Sequence, residues 1–222
     1  WEKLYSNFET GTEIKQQEKK TIQNQIEINI ENDNISDKKY IQVLDKYIIT
    51  NVKSGIVIID ILRAYERILY EDYLIKLNNN KPPSEQLLFP ITITLDNKKL
   101  EIFNSIKEDF SSLGFNFIIE KNSLIINGTP PEIIETNLKE LIEEIIEEYL
   151  LTLNKISIPE QTRLSYAISR RIKHLYLQKE LSDEAINNII EKLFLCKLPY
   201  TSPSGEPIMK ILTKEDIEKI LT

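Results

Sequence analysis

The sequence predicts a mixed α/β (α+β) fold, and three observations support that prediction. Short apolar runs with strand-like patterns alternate with longer runs whose apolar residues recur at helical spacing. In the middle of the chain these runs follow the order β-α-β-β-α, which is typical of a small split sheet with its helices on one side. Of the 222 residues, 41% are hydrophobic and 28% are charged, the balance of a globular protein. A chain of this length holds one large domain or two small ones.

The first segment, 1–39, reads as a mostly disordered linker. It is rich in Gln, Asn, Glu, Lys and Ile, and Lys15–Gln25 is almost entirely polar or charged. An alternative is an edge strand at Glu27–Ile30, where apolar and polar residues alternate over a short distance. Because the chain begins with Trp1 and not with methionine, we expect a fragment or a processed form of a longer protein.

Three strands are predicted to follow this linker. Ile41–Leu44 and Tyr47–Thr50 have strand-like composition, and Gly55 in the next turn is free to adopt a positive φ. Ile56–Ile59 is a continuous apolar run, which indicates a buried strand. Asp60 ends that run and is expected to cap the following helix.

A helix is predicted at 61–77, and its apolar side chains cover a wider arc than one buried face requires. Those side chains are Ile61, Leu62, Tyr65, Ile68, Leu69, Tyr73 and Ile75. We therefore expect the helix to be buried on two sides, or against a second subunit. The segment Asn78–Ser84, which contains two prolines, ends it.

The middle of the chain is predicted to form a separate unit. A strand at Ile91–Leu95 precedes an amphipathic helix at Leu100–Leu113, and Gly114 lies where a helix-ending glycine belongs. Phe115–Asn127 contains the two arms of a hairpin, and Leu138–Tyr149 is a second amphipathic helix. Four glutamates are expected on the solvent side of that helix: Glu143, Glu144, Glu147 and Glu148.

Three further helices and one strand are predicted after Pro159. Ser182 is expected to cap the second of these helices. The strand is expected at Pro207–Leu212, and Thr213 with Asp216 resembles a capping box for the last helix.

Composition also excludes several classes of protein. No run approaches the ~18 apolar residues of a membrane-spanning helix, and no secretory signal pattern is present. Cys196 is the single cysteine, so no internal disulfide can form, and a cytoplasmic location is expected. The net charge of -7 argues against tight nonspecific binding of DNA.

Few residues are candidates for chemistry. The single histidine, His174, lies beside several cations and is expected on the surface, while Cys196 is expected to be a buried thiol. Asp60 closes a buried strand and Glu66 lies on the helix that follows, so the two carboxylates are candidate metal ligands. The favoured interpretation is a helix cap for Asp60 and a salt bridge for Glu66, because zinc needs about four ligands.

A row of basic residues in the C-terminal third is a candidate contact for DNA phosphate. Its members are Arg163, Arg170, Arg171, Lys173 and Lys179. The alternative is a charged helix face that is simply solvated.

Four segments, in order, resemble the C-terminal domain of the MutL family of mismatch-repair proteins. Gln42–Ile48 is similar to the first strand of the family, and Ile58–Glu71 to its pattern D-Q-H-A-x-x-E-R-I-L-Y-E. Glu85–Pro90 is similar to Q-Q-L-L-F-P, and Pro199–Pro207 to P-Y-T-C-P-H-G-R-P. The resemblance covers about residues 40–222.

The sequence departs from the metal motif of the endonuclease members. The Gln and His of the first motif are replaced by Ile61 and Leu62, and the C-P-H segment reads Ser202-Pro203-Ser204. The helix that would carry a further cysteine has none at Ser165–Ser169. Hydroxyls are poor zinc ligands beside thiolate and imidazole.

Only the two acids of the motif remain, Asp60 and Glu66. We therefore expect a scaffold of mismatch repair that has no endonuclease activity and no cofactor in this chain, the ATP and Mg²⁺ belonging to an N-terminal ATPase half. Two alternatives stay open: a metal-dependent DNA nickase of the same family, and an unrelated ligand-binding α/β protein.

The resemblance also implies an organisation and partners. Residues 40–88 and 160–222 would form a dimerisation subdomain, with a regulatory subdomain at 89–159 inserted into it. The implied partners are a second copy of the chain, MutS, a sliding clamp and, weakly, DNA. The candidate contact with the clamp contains Glu85, Leu88 and Pro90, and the alternative is a strand that enters the middle subdomain.

Overall fold

A computed structural model describes residues 40–78, 83–133, 137–155, 157–176 and 180–222. The predicted linker at 1–39 and its alternative edge strand lie outside the described residues. The described strands are β1 (Tyr40–Val43), β2 (Tyr47–Val52), β3 (Gly55–Asp60), β4 (Glu85–Thr94), β5 (Asn116–Glu120), β6 (Ser123–Thr129) and β7 (Met209–Thr213). The described helices are α1 (Ile61–Asn78), α2 (Asn97–Ser112), α3 (Leu138–Thr152), α4 (Arg163–Ile172), α5 (Asp183–Leu195) and α6 (Lys214–Leu221). Short 3₁₀ turns lie at Glu160–Thr162 and Lys173–Tyr176. The predicted mixed α/β fold is confirmed.

The chain divides into two compact units. In the described residues the small unit contains 40–41, Ile49–Ile58 and Lys210–Thr222, and the large unit contains Gln42–Ile48 and Ile59–Met209. The subdomain boundaries predicted at 88/89 and 159/160 are a different division and stay a prediction.

One sheet has the strand order β1-β2-β3-β7. Leu44 was expected to end the first strand, but its φ of +55° places it in the turn instead. Gly55, at φ +152°, begins β3 after the second turn. A Cβ atom at this position would lie 2.0 Å from the carbonyl oxygen of Leu212, so glycine is required for the close approach of the two backbones.

The other sheet is antiparallel, in the order β4-β6-β5. Its hairpin is as predicted, and Lys121 adopts φ +52° in the turn. β4 is longer than the predicted Ile91–Leu95 because it begins at Glu85. Its register shifts between Gln86 and Ile91, so the strand carries an irregularity that period-2 patterning did not reveal.

The core of the large unit forms where α2 and α3 cover this sheet. Phe110 is fully buried, with its ring stacked on Phe115 at 4.1 Å and edge-on to Phe103 at 5.2 Å. Asp96 caps α2 by accepting a hydrogen bond from the Lys99 amide at 2.7 Å. Gly114 follows this helix at φ +98°, as predicted.

Helix α1 confirms the expectation of burial on two sides. It packs against α2, α4 and α5. Between Ile61 and Leu77 only Asp72 and Ile75 are exposed. Most of the wide apolar arc is therefore covered within one chain, but Ile75 is 59% exposed.

The predicted caps near the C terminus are present. The Ser182 hydroxyl accepts a hydrogen bond from the Ala185 amide at 3.2 Å, at the start of α5. Thr213 and Asp216 form the capping box of α6. No helix among the described residues is both long and apolar enough to cross a membrane.

Candidate functional site

Asp60 occupies the end of β3 and the cap of α1. Only 7% of its surface is exposed, and its carboxylate accepts a hydrogen bond from the Arg63 amide at 3.1 Å. Its amide donates to the Ile208 carbonyl oxygen at 2.8 Å. Two cations lie close to the carboxylate, the Arg63 Nε at 3.7 Å and the Lys46 Nζ at 3.9 Å. The acid is thus fully engaged with groups of its own chain.

Glu66 lies on the buried side of α1 and has no exposed surface. Its Oε2 contacts the ammonium of Lys173, and its Oε1 lies 3.7 Å from the Arg170 guanidinium. This carboxylate therefore joins α1 to α4 and to the 3₁₀ turn that follows α4. The arrangement is the salt bridge that the sequence favoured for this residue.

The loop at 199–207 is held by its own hydrogen bonds. The Ser202 amide donates to the Glu206 carbonyl oxygen at 2.8 Å, and the Glu206 amide donates to the Ser202 hydroxyl oxygen at 3.1 Å. The hydroxyls of Ser202 and Ser204 lie 2.9 Å apart. Arg67 of α1 donates to the Thr201 carbonyl oxygen at 2.7 Å. The serines that replace Cys and His thus stabilise the turn.

These residues do not fit a metal ion. Within the described part of the chain, no group of three or more His, Cys, Asp and Glu side chains is placed to hold one. Asp60 and Glu66 each have cations of the protein beside them, and these cations would repel a metal ion. Ser202 and Ser204 offer only neutral hydroxyls.

The predicted basic row is largely paired with carboxylates. Arg170 and Arg171 contact Glu148 at 3.1 and 2.7 Å, and Lys173 contacts Glu66. Arg163 has an Nε atom that is buried without a hydrogen-bond partner. Lys179, the remaining member of the row, lies outside the described residues.

The expectation that Glu148 faces solvent was wrong. It is 4% exposed and binds two arginines of α4. A signal for this existed in the sequence, because Leu141, Ile145, Glu148 and Thr152 recur at spacings of three and four along α3 and are all buried. An acid on an apolar stripe predicts a buried ion pair.

The surroundings of His174 and Cys196 give little support for a chemical role. His174 is exposed, as expected. Cys196 is half-buried, so the expectation of a buried thiol was wrong. Burial and the nearby Glu71 carboxylate raise the pKa of this thiol to about 12, which keeps it protonated and unreactive. Its Sγ donates to the Lys192 carbonyl oxygen at 3.3 Å.

The candidate clamp segment lies on the surface of β4. Glu85, Leu88 and Pro90 are exposed, and Leu88 is 86% exposed. The segment is also part of a strand, as the alternative interpretation expected. It coincides with the irregular part of β4, where pairing with β6 is interrupted between Gln86 and Ile91.

The small unit carries an apolar surface that the sequence did not reveal. Among its described residues only Thr50 and Val57 are buried. Its remaining large aliphatic side chains are exposed or half-buried, and we call them the small-unit apolar surface. They are Ile41, Ile49, Ile56, Ile58, Ile211, Leu212, Ile217, Ile220 and Leu221. Aliphatic side chains that stay accessible to solvent in this number are candidates for protein–protein contact.

Comparison with known proteins places the chain in a family. The family model described as the MutL C terminal dimerisation domain matches residues 40–174. The DNA mismatch repair protein MutL of Prosthecochloris aestuarii is 33% identical over 186 residues, which are 83% of this chain and 30% of that protein. The protein of the same name from Flavobacterium psychrophilum is 28% identical over 223 residues, covering 99% of this chain and 36% of that protein. The chain thus spans about a third of the length of these relatives.

Proposed function

The chain belongs to the family of MutL C-terminal dimerisation domains of DNA mismatch repair proteins, and from this premise we propose that it forms a homodimer and docks repair partners without cutting DNA. The ATPase activity, with its ATP and Mg²⁺, would belong to an N-terminal half that this chain does not contain. The proposed location is the cytoplasm.

The small-unit apolar surface supports the homodimer. An obligate interface buries roughly 2,000 Å² or more and is rich in apolar side chains. Ile220 and Leu221 of α6 are 71% and 81% exposed, and Ile41 is 61% exposed. Covering them with a second copy of the same surface removes this area from water. Most of the apolar arc of α1 is covered within one chain, and of its side chains only Ile75 is exposed.

Light scattering at micromolar concentration is expected to give twice the chain mass of 26.0 kDa. Ile220→Glu combined with Leu221→Glu places two charges on the proposed interface, and we expect the dimer to weaken by about 100-fold or more. The matched control is Leu195→Glu, at a residue of the large unit that is 85% exposed. It should leave the mass unchanged. A wild-type chain of single mass would contradict the proposal.

The absence of endonuclease activity is proposed from the pairing of both acids of the motif. Metal-assisted cleavage of a phosphodiester needs an ion held in fixed geometry, and Asp60 and Glu66 are held by Lys46, Arg63 and Lys173 instead. The competing function is a nickase that retains a weak Mg²⁺ or Mn²⁺ site on carboxylates and water.

Supercoiled plasmid incubated with the chain and excess Mn²⁺ is expected to stay closed. Elemental analysis of protein purified without chelator should find less than about one zinc per several chains, since a structural site wants four ligands. The Asp60→Asn variant should match the wild type in the plasmid assay. Nicking by the wild type that disappears in Asp60→Asn would establish the competing function.

Docking of a sliding clamp is proposed at the exposed segment with Glu85, Leu88 and Pro90. The leading Gln of the family pattern is Glu85 here, and loss of its amide donor costs about 1–3 kcal/mol where that donor is buried in the complex. Glu85→Gln is therefore expected to tighten binding of a bacterial sliding clamp about tenfold or more. Combined Leu88→Ala and Pro90→Ala should abolish it, as measured by fluorescence anisotropy. Unchanged affinity in the combined variant would exclude this segment.

MutS is the other proposed partner.

Binding of DNA by the chain alone is proposed to be weak, because Arg170, Arg171 and Lys173 of the basic row are engaged with Glu66 and Glu148. Their positive charge is locally balanced, which lowers the electrostatic gain on contact with phosphate.

A further inference from the structure

Two buried carboxylates stand where the family pattern has its metal-binding acids. Asp60 is 7% exposed and Glu66 is 0% exposed. A carboxylate removed from water is destabilising unless a positive charge and hydrogen bonds compensate for the lost hydration. In an endonuclease member a divalent ion would supply that charge. In this chain the compensation must come from another source.

Lys173 supplies the compensating positive charge for Glu66. Its side chain is only 14% exposed, and its ammonium contacts Oε2 of a carboxylate that has no access to water. The two residues are 107 positions apart, so the contact fastens the turn after α4 to α1. Arg170 adds a second cation, 3.7 Å from Oε1, and this oxygen has no hydrogen-bond partner among the described residues.

Arg63 supplies the compensating positive charge for Asp60. It occupies the position of the alanine in the D-Q-H-A-x-x-E pattern. Its Nε lies 3.7 Å from the Asp60 carboxylate. The same guanidinium donates to the Pro207 carbonyl oxygen at 2.8 Å and to the Glu206 Oε1 at 3.1 Å. The planar donor fork of arginine suits such a bridge, and it joins the end of β3 to the loop at 199–207.

We propose that Arg63 and Lys173 have replaced the divalent ion as the positive charges that hold this framework together. Each acid also has a second cation beside it, Lys46 at 3.9 Å from Asp60 and Arg170 at 3.7 Å from Glu66. Arg63 joins Asp60 to the loop at 199–207, and Lys173 joins Glu66 of α1 to the turn after α4. The framework is therefore permanent and independent of metal. Every contact of this framework lies within one chain, so the framework does not require dimerisation.

A double-mutant cycle tests the Lys173 contact. Lys173→Met leaves Glu66 buried without its closest cation, and we expect the thermal midpoint to fall by about 10 °C. Adding Glu66→Gln removes the buried charge and should restore about half of that loss or more. The control is Lys214→Met, which removes an exposed cation from its pair with Glu218 and should shift the midpoint by about 1 °C or less. A Lys173→Met variant as stable as Lys214→Met would overturn the proposal, and so would a double variant with no recovery.

Two further measurements test whether the framework is independent of metal and whether Arg63 holds the loop at 199–207. Excess EDTA, Zn²⁺ or Mn²⁺ should leave the midpoint of the wild type unchanged, and a rise of several degrees with either metal would overturn the proposal. Arg63→Met should raise the hydrogen-exchange rates of the Ser202 and Ile208 amides about tenfold or more, since the loop loses its bridge to Asp60. Exchange rates equal to those of Lys214→Met would show that Arg63 does not hold the loop.

Discussion

Phe110→Ala is expected to lower the free energy of unfolding by about 3–5 kcal/mol, a large share of the stability of a typical domain. The side chain is fully buried, and its ring contacts Phe103, Phe115 and Phe117. Removing it leaves a cavity among rigid aromatic neighbours that cannot collapse to fill the space. Urea unfolding followed by circular dichroism measures the change.

The conservative change Phe110→Leu should cost less, about 1–2 kcal/mol, because most of the volume is retained. Ile118→Ala is the surface control, at a residue of β5 that is 52% exposed, and about 0.5 kcal/mol or less is expected. If Phe110→Ala lowered the free energy of unfolding no more than Ile118→Ala, the result would contradict the packing of α2 on the sheet described above.

Gly55→Ala is expected to lower the free energy of unfolding by about 3 kcal/mol or more. The new Cβ would lie 2.0 Å from the Leu212 carbonyl oxygen, a backbone atom that cannot rotate away, and φ is +152°. Relief requires β3 and β7 to separate. Both residues belong to the small unit, so light scattering should also show a weaker dimer.

Gly205→Ala is the matched control for this effect. Gly205 also has a positive φ, +88°, but a Cβ there would meet no atom within 4 Å. Its expected cost is about 1 kcal/mol, which comes from the backbone conformation alone. Equal costs for the two alanine variants would show that strain and not the contact with Leu212 governs Gly55.

The sequence predicted local features well, because their causes are local. The Asp60 cap, the Ser182 cap and the Thr213–Asp216 capping box each join residues three positions apart, so the pattern of residue types contains the whole interaction. The β5–β6 hairpin was predictable for the same reason. The longer extent of β4 was predicted only as the alternative to a clamp contact, because its first residues pair with Gly128 and Thr129 far along the chain.

The sequence by itself determined the mixed α/β fold, the order of its elements, the four family segments and the loss of thiol and imidazole ligands. These properties depend on periodicity, on neighbouring residues and on residue type. Only the tertiary structure decided which charges face each other. Lys173 meets Glu66 across 107 residues, and Arg63 meets Glu206 across 143. The same structure buried Glu148, exposed the small-unit apolar surface and covered most of the wide apolar arc of α1 within one chain. Burial and ion pairing depend on the packing of distant segments, and no local pattern contains that information.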